Sequence, residues 1–212
     1  MPARSCSRRP RRGTDLAEAT GIVLAGGRST RFGRDKLVEP YRGMPMLHHA
    51  VLRLAEVCAE VLVVIGPDHP EPSLPGGVAV FIARDEAEGR GPLAGARAGL
   101  EVTRSDLAVI AGGDMPDLQP LVLLEMLRVA VETSADAVAL AEGARFRPLP
   151  CVVRSRPAVE ASAELLRSGQ RRLRDLLTEL LVTVIGEPTW LALDPARRTL
   201  FDVDEVGDLE SW

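Results

Sequence analysis

One stretch constrains this chain more than any other: Gly21-Ile22-Val23-Leu24-Ala25-Gly26-Gly27-Arg28-Ser29-Thr30-Arg31-Phe32-Gly33-Arg34-Asp35-Lys36. Ile22 to Ala25 is a short uncharged run between glycines, the pattern of a strand buried on both faces. The glycines after it allow positive φ and close backbone approach, so successive N–H groups can face an anion. Arg28, Arg31, Arg34 and Lys36 add positive charge beside them. Strand, glycine turn and basic arm together read as a phosphate site; the competing reading is an ordinary strand followed by a solvated basic loop.

At 212 residues the chain suits one large α/β domain with one sizeable core. Aromatic residues are 3% of it, so the core must be aliphatic and base-stacking platforms for single-stranded nucleic acid are not expected. A net charge of −4 argues against general nucleic-acid binding through the whole surface, and no specific nucleic-acid partner is expected. Cys6, Cys58 and Cys151 are odd in number and widely spaced, giving neither a disulfide framework nor a zinc pattern, and a cytoplasmic location is the expectation. Arg4, Arg8, Arg9, Arg11 and Arg12 crowd a segment poor in large apolar residues. Residues 1–20 therefore read as a disordered basic extension, without the apolar region of a secretory signal, and 21–212 as the folded domain. No apolar run is long enough to span a membrane.

Beyond Lys36, Leu37–Gly43 reads as a loop and Pro45 to Ala59 as an amphipathic helix opened by proline. His48 and His49 on that helix point about 100° apart, so both read as surface or boundary residues and not as metal ligands. Val61–Ile65 and Val78–Ile82 are expected strands. Gly91-Pro92-Leu93-Ala94-Gly95-Ala96-Arg97-Ala98-Gly99 suits either a helix packed close to a neighbour or a backbone crowding a ligand. Leu107–Ala111 is a strand ending in Gly112-Gly113-Asp114-Met115-Pro116, where Asp114 is either a ligand-facing carboxylate or a turn former. A helix follows with Leu121, Leu124, Leu127 and Val131 on its apolar stripe.

Ala137–Ala141 and Cys151–Val153 are read as short strands separated by Arg145-Phe146-Arg147-Pro148-Leu149-Pro150. Val159–Leu166 and Leu173–Leu181 are read as helices. Arg171, Arg172 and Arg174 form either a solvated face or a contact to an anionic ligand. Val182–Ile185 is a strand ended by Pro188. Asp202 and Asp204, at i and i+2 of a last expected strand, would share a face and repel each other unless a cation or basic group sits between them.

Alternating strands and helices predict a mainly parallel sheet with helices on both faces, and such sheets gather ligands at strand carboxyl ends. The glycine loop, Asp85, Asp114 and Asp202 are expected to converge there, with Lys36 neutralising phosphates and carboxylates holding Mg²⁺. The loop is neither a P-loop nor the dinucleotide Gly-x-Gly-x-x-Gly.

Leu-Ala-Gly-Gly-x-Ser-x-Arg-Phe-Gly-x-Asp-Lys instead resembles the glycine-rich signature of nucleotidyltransferases with a single Rossmann-like, GT-A-type, three-layer domain. Gly91-Pro92-Leu93-Ala94-Gly95, Gly112-Gly113-Asp114-Met115-Pro116 and Asp202-Val203-Asp204 with Asp208-Leu209 are similar to the molybdenum cofactor guanylyltransferase family. The resemblance runs from Gly21 to Leu209. It implies transfer of GMP from GTP to Mo-molybdopterin, with Mg²⁺ as cofactor and molybdoenzymes and their chaperones as recipients. It also implies roles. Leu24, Ala25, Gly26 and Gly27 would line the nucleotide by backbone, Lys36 and Arg31 would meet the triphosphate, and Asp85 would contact the nucleotide. Asp114 would hold Mg²⁺, with Asp202 or Asp204 as further ligands. Two departures stand out. Gly66 occupies a position where the family often has Asn, and Glu205-Val206-Gly207 replaces the usual Thr-Pro-Glu. Three rivals remain: a CTP-dependent cytidylyltransferase, another Mg²⁺-dependent nucleotidyltransferase with a phosphorylated acceptor, and a non-catalytic nucleotide- or cofactor-binding module.

Overall fold

The computed structural model describes residues 18–26, 36–85, 91–203 and 206–209. In chain order the elements are β1 (Ala19–Leu24), β2 (Pro40–Tyr41), β3 (Met44–Pro45), α1 (Met46–Ala55), β4 (Glu60–Ile65), β5 (Val80–Arg84), α2 (Pro92–Val102) and β6 (Leu107–Gly112). Then come α3 (Pro120–Thr133), β7 (Ala137–Glu142), β8 (Arg145–Arg154), α4 (Ser155–Arg167), α5 (Leu173–Glu179), β9 (Val182–Ile185) and α6 (Glu187–Leu193). Short 3₁₀ turns lie at Lys36–Val38, Arg198–Leu200 and Val206–Leu209.

The main sheet has seven strands in the order β5-β4-β1-β6-β8-β7-β9. All neighbours pair in parallel except β8, which runs antiparallel to both β6 and β7. Successive side chains of a strand face opposite ways, and the core divides accordingly. Val23, Val63, Val109 and Val152 pack with α1, α3 and α6, while Ile22, Val64, Ile110 and Cys151 pack with α2, α4 and α5. This is the expected three-layer α/β domain with a mainly parallel sheet. Its core is aliphatic apart from a few rings, chiefly Trp190, whose buried indole N–H donates to Ala141 O at 3.0 Å.

Several elements differ from the sequence expectation. β1 begins at Ala19, inside the stretch assigned to the basic extension; residues 1–17 lie outside the described residues. The expected loop Leu37–Gly43 contains β2, which pairs with β3 just beyond it, and α1 starts at Met46 with Pro45 just before it, in β3, rather than in its first turn. The buried stripe of α3 is Val122, Leu123, Met126, Leu127 and Ala130, leaving Leu121 and Val131 exposed. That helix is apolar nearly all round, so spacing alone did not single out a face. The two prolines between Arg145 and Cys151 do not interrupt β8, which runs ten residues. Its pairing with β7 shifts register at Ala139/Leu140, and the Leu149–Pro150 peptide is cis. Such an irregular stretch tolerates residues that cannot donate to a ladder. Pro188 lies in the first turn of α6, where its missing N–H costs nothing, instead of merely ending β9.

No strand forms at Asp202: residues 201–203 have no regular structure, and Asp204 lies outside the described residues. Val203 spends its backbone elsewhere. Its N–H donates to Asp114 O at 3.0 Å, and its carbonyl accepts from Lys36 Nζ at 2.8 Å.

Candidate functional site

The parallel strands bring their carboxyl ends to one edge of the sheet. The reversed β8 brings its amino end, Arg145, to the same edge. Backbone pairing continues to this edge: the Leu24 carbonyl accepts from Gly113 N at 3.0 Å, while Ala25 N–H donates to Val64 O at 2.8 Å. A Cβ on Gly113 would stand 3.2 Å from Leu37 Cδ2 and 3.3 Å from Leu24 O, so the close packing of β1, β6 and the Lys36 turn favours glycine there. Gly26 differs. Its φ is not positive, and a Cβ would meet Gly66 N at 3.5 Å, an ordinary contact. The fold leaves room for a side chain at Gly26; the sequence nonetheless keeps its backbone bare at the edge.

Lys36 opens a 3₁₀ turn, and its ammonium joins two segments. It lies 2.8 Å from Asp114 Oδ2 and 2.8 Å from the carbonyl of Val203. Both charged side chains are partly open to solvent, at 17% and 29%. A carboxylate at a strand end and an ammonium held against it make a site where added negative charge would meet Lys36.

Beside Asp114 a cleft of about 520 Å³ opens between β6, β8 and the chain after α6. Asp114, Glu142, Arg145, Arg147, Arg174 and Asp202 are its charged lining. Arg147 donates to Asp202 Oδ1 at 3.2 Å, and its guanidinium lies 3.6 Å from Glu142. Arg174 donates to Phe146 O at 2.8 Å and lies 4.8 Å over the Phe146 ring. Among the described residues no group of three or more His, Cys, Asp or Glu gathers to hold a metal. Asp114 and Asp202 nevertheless line one cleft, and two carboxylates completed by substrate phosphates suit Mg²⁺, which rarely takes an all-protein cage.

The expected site residues are thus partly assembled. Lys36 and Asp114 touch, Asp202 shares the cleft with Asp114, Leu24 lies next to Gly113, and Ala25 and Gly26 lie against the end of β4 and Gly66. Asp85 stands apart at the end of β5, its N–H donating to Ile65 O at 2.9 Å. Three inter-strand steps separate it from β6, or about 14 Å. Gly27, Arg31 and Asp204 lie outside the described residues. Over Gly66 lies the ring of His69: a Cβ on Gly66 would be 2.6 Å from its Nδ1. Arg84 fixes that turn by donating to the carbonyls of Pro67 and His69.

Sequence reasoning missed Arg147 as a cleft residue, because its segment read as a break between strands. It also missed the carbonyl of Val203, for which no side-chain signal exists. A third omission is Asp117, 4% exposed, which accepts from Tyr41 Oη at 3.0 Å, Arg42 at 3.1 Å and Arg198 at 3.0 Å. That cluster fastens the β2–β3 hairpin and the Arg198–Leu200 turn to the segment after Asp114, so it braces the strap carrying Asp202 and Val203. The packing of α2 resolves another open reading. A Cβ on Gly99 would lie 2.8 Å from Ile22 Cγ2, so this glycine serves helix–sheet contact.

Comparison with known proteins agrees with this architecture. The model of the MobA-like NTP transferase domain matches residues 21–184. The probable molybdenum cofactor guanylyltransferase of Chloroflexus aggregans is 31% identical over 195 residues, covering 90% of this chain and 91% of that protein. That of Natronomonas pharaonis is 34% identical over 198 residues, covering 92% and 96%. The structure of molybdopterin-guanine dinucleotide biosynthesis protein A from Archaeoglobus fulgidus superimposes with a TM-score of 0.74 at 19% identity, covering 90% of this chain and 95% of that one, and so shares the fold. Among the described residues no helix is long and apolar enough to cross a membrane. A glycine-bounded strand, a lysine–aspartate pair at the sheet's carboxyl edge and relatives aligned over nine-tenths of the chain lead to one assignment: the chain belongs to the MobA-like NTP transferases and is a nucleotidyltransferase enzyme.

Proposed function

We propose that the enzyme transfers GMP from GTP to Mo-molybdopterin, forming the guanine dinucleotide cofactor and pyrophosphate. The observation that carries this reading is the Lys36–Asp114 pair at the junction of β1 and β6, in a chain whose relatives are molybdenum cofactor guanylyltransferases. The nucleotide lies over the ends of β1, β4 and β5, its base toward Asp85 and its phosphates toward Lys36. The span of about 14 Å from β5 to β6 suits a nucleoside triphosphate laid along the edge. The bare backbone at Gly26 lets it approach closely.

The acceptor's phosphate needs no general base, since at neutral pH it is already ionised. One of its oxygens forms a bond to the α-phosphorus of GTP as the bond to the bridging α,β oxygen breaks, and pyrophosphate leaves with that electron pair. Lys36, with Arg31, meets the triphosphate charge as it shifts toward the leaving group. Asp114, with Asp202 or Asp204, would hold Mg²⁺, whose charge stabilises the leaving pyrophosphate. Positioning and charge neutralisation account for most of the acceleration.

The test supplies Mo-molybdopterin and Mg²⁺ with GTP, CTP, ATP or UTP in turn and follows pyrophosphate and dinucleotide product. Turnover with GTP is expected. Turnover confined to CTP would make the enzyme a cytidylyltransferase, and none with any nucleotide would favour a binding module that kept the fold.

A further inference from the structure

Gly66, where this chain departs from the family pattern, sits in the middle of the nucleotide edge. It follows Ile65, the last residue of β4. A Cβ on Gly26 would lie 3.5 Å from Gly66 N, and on the other side Asp85 N–H donates to Ile65 O at 2.9 Å. The volume that a side chain on Gly66 would enter is taken by an imidazole. The nearest atoms a Cβ there would meet are Nδ1, Cε1 and Cγ of His69, at 2.6, 3.2 and 3.6 Å, so Nε2 stands farther out. Glycine at 66 and histidine at 69 thus share one place at the edge.

The turn that delivers the ring is rigid by construction. His69 N–H donates to Gly66 O at 3.3 Å, closing a four-residue turn. Pro67 occupies its second position, where a fixed φ suits, and Pro70 follows directly. Arg84, at the end of β5, then donates to the carbonyls of Gly66, Pro67 and His69 at 3.4, 3.1 and 3.0 Å, and to Glu71 at 3.1 Å. That clamp ties the turn to the residue just before Asp85. The backbone of His69 is therefore fixed, yet its half-buried ring makes no hydrogen bond or ion pair among the described residues. A neutral imidazole carries one donor and one acceptor nitrogen. Held in place with that capacity unspent, it can bind a ligand at little ordering cost.

Position decides which part of the nucleotide it meets. β4 lies between β5 and β1, one inter-strand step of about 5 Å from each. Lys36, held by Asp114 at the end of β6, is two steps from β4. With the base toward Asp85 and the phosphates toward Lys36, the part over β4 is the nucleoside.

We propose that His69 is a nucleoside-binding residue of this enzyme, its imidazole hydrogen-bonding the base or ribose of the bound nucleotide from the place a side chain at 66 would otherwise take. The inference rests on the nucleotide placement proposed above.

Calorimetric titration of full-length wild type, His69→Ala, His69→Phe and His69→Gln with GTP, GMP and inorganic tripolyphosphate tests it. His69→Ala and His69→Phe should weaken GTP and GMP alike, by roughly threefold to tenfold, as loss of one hydrogen bond does, and leave tripolyphosphate binding unchanged. His69→Gln, whose amide reaches about as far as Nε2, should recover most of the loss. In turnover the Ala and Phe variants should raise KM for GTP by the same factor at unchanged kcat. Repeating the titrations with 2′,3′-dideoxy-GTP separates the two partners: an effect that disappears assigns the bond to the ribose hydroxyls, and one that persists assigns it to the base. Unchanged GTP affinity in His69→Ala, an equal loss of tripolyphosphate binding, or wild-type affinity in His69→Phe would overturn the assignment. Should wild type prefer CTP, ATP or UTP, the guanine reading falls by itself, and the same variants titrated with the preferred nucleotide still decide the role of His69.

Discussion

A side chain on Gly112 would overlap the Oδ1 atom of Asp114: the carboxylate lies folded back over the backbone of the residue two before it. The pair of glycines before Asp114 thus divides its work. Gly113 admits Leu37 and the Leu24 carbonyl, and Gly112 admits the carboxylate. Gly112→Ala is expected to displace Asp114 and lower kcat by about 10²-fold, as misplacements near 1 Å do, with little change in Tm. Pyrophosphate release at saturating substrates checks this; a kcat near wild type would mean that the carboxylate works equally well elsewhere.

Asp114→Ala should abolish Mg²⁺-dependent turnover, and Lys36→Ala should weaken GTP binding and cost about 10²–10³ in kcat/KM. Neither should cost much stability, because a pair this open to solvent contributes roughly 0–1 kcal/mol. Urea titrations alongside kinetics separate the effects. Full activity in Asp114→Ala would remove the metal assignment.

The two glycines inside α2 should respond oppositely to alanine. At Gly99 the new Cβ would sit 2.8 Å from Ile22 Cγ2 and 3.1 Å from its Cδ1, against a residue with no solvent exposure, so about 1–3 kcal/mol should be lost. At Gly95 the nearest atom is Leu24 Cδ2 at 3.6 Å, and helix propensity favours alanine by up to about 1 kcal/mol. Thermal melts of the two variants check the contrast.

Stability should fall in alkali before any change in the sheet. Burial, then the hydrogen bond to Asp117, pushes the Tyr41 hydroxyl from 10.0 up to about 12. Burial pushes the Cys151 thiol from 9.0 up to about 12, and Cys58 likewise. The unfolded chain releases these protons at their ordinary values while the folded chain keeps them. Their contribution is therefore whole below about pH 9 and is lost as pH rises toward 12. Each buried group should steepen the fall by about 1.4 kcal/mol per pH unit across its own window. Unfolding free energies from pH 8 to 11 measure this, and Tyr41→Phe should flatten the part above pH 10.

Sequence carried the parallel strands well, because Ile22–Ala25, Val61–Ile65 and Leu107–Ala111 are apolar runs with glycine or polar breaks at their ends. It carried the meeting of Lys36 and Asp114 only through motif resemblance, since 78 positions separate them and no local pattern predicts the 2.8 Å contact. β8 was hidden by Pro148 and Pro150, whose lack of an N–H argues against a strand; a bulged ladder accommodates them. The strap at 201–203 was misread as a strand because Asp202-Val203-Asp204 alternates. What fixes it is a lysine and a backbone carbonyl from elsewhere in the chain, which alternation does not encode.

The single reversed strand has one more consequence. A parallel sheet assembles its ligand edge from loops scattered along the chain, each tied to a crossover helix. The β7–β8 hairpin instead turns through Gly143 and Ala144 alone, so Glu142, Arg145 and Arg147 reach that edge within six consecutive residues. This part of the cleft wall is a contiguous cassette. Its tip can be exchanged between related enzymes as one short graft, leaving every crossover connection and the whole β1–β4–β5 half untouched.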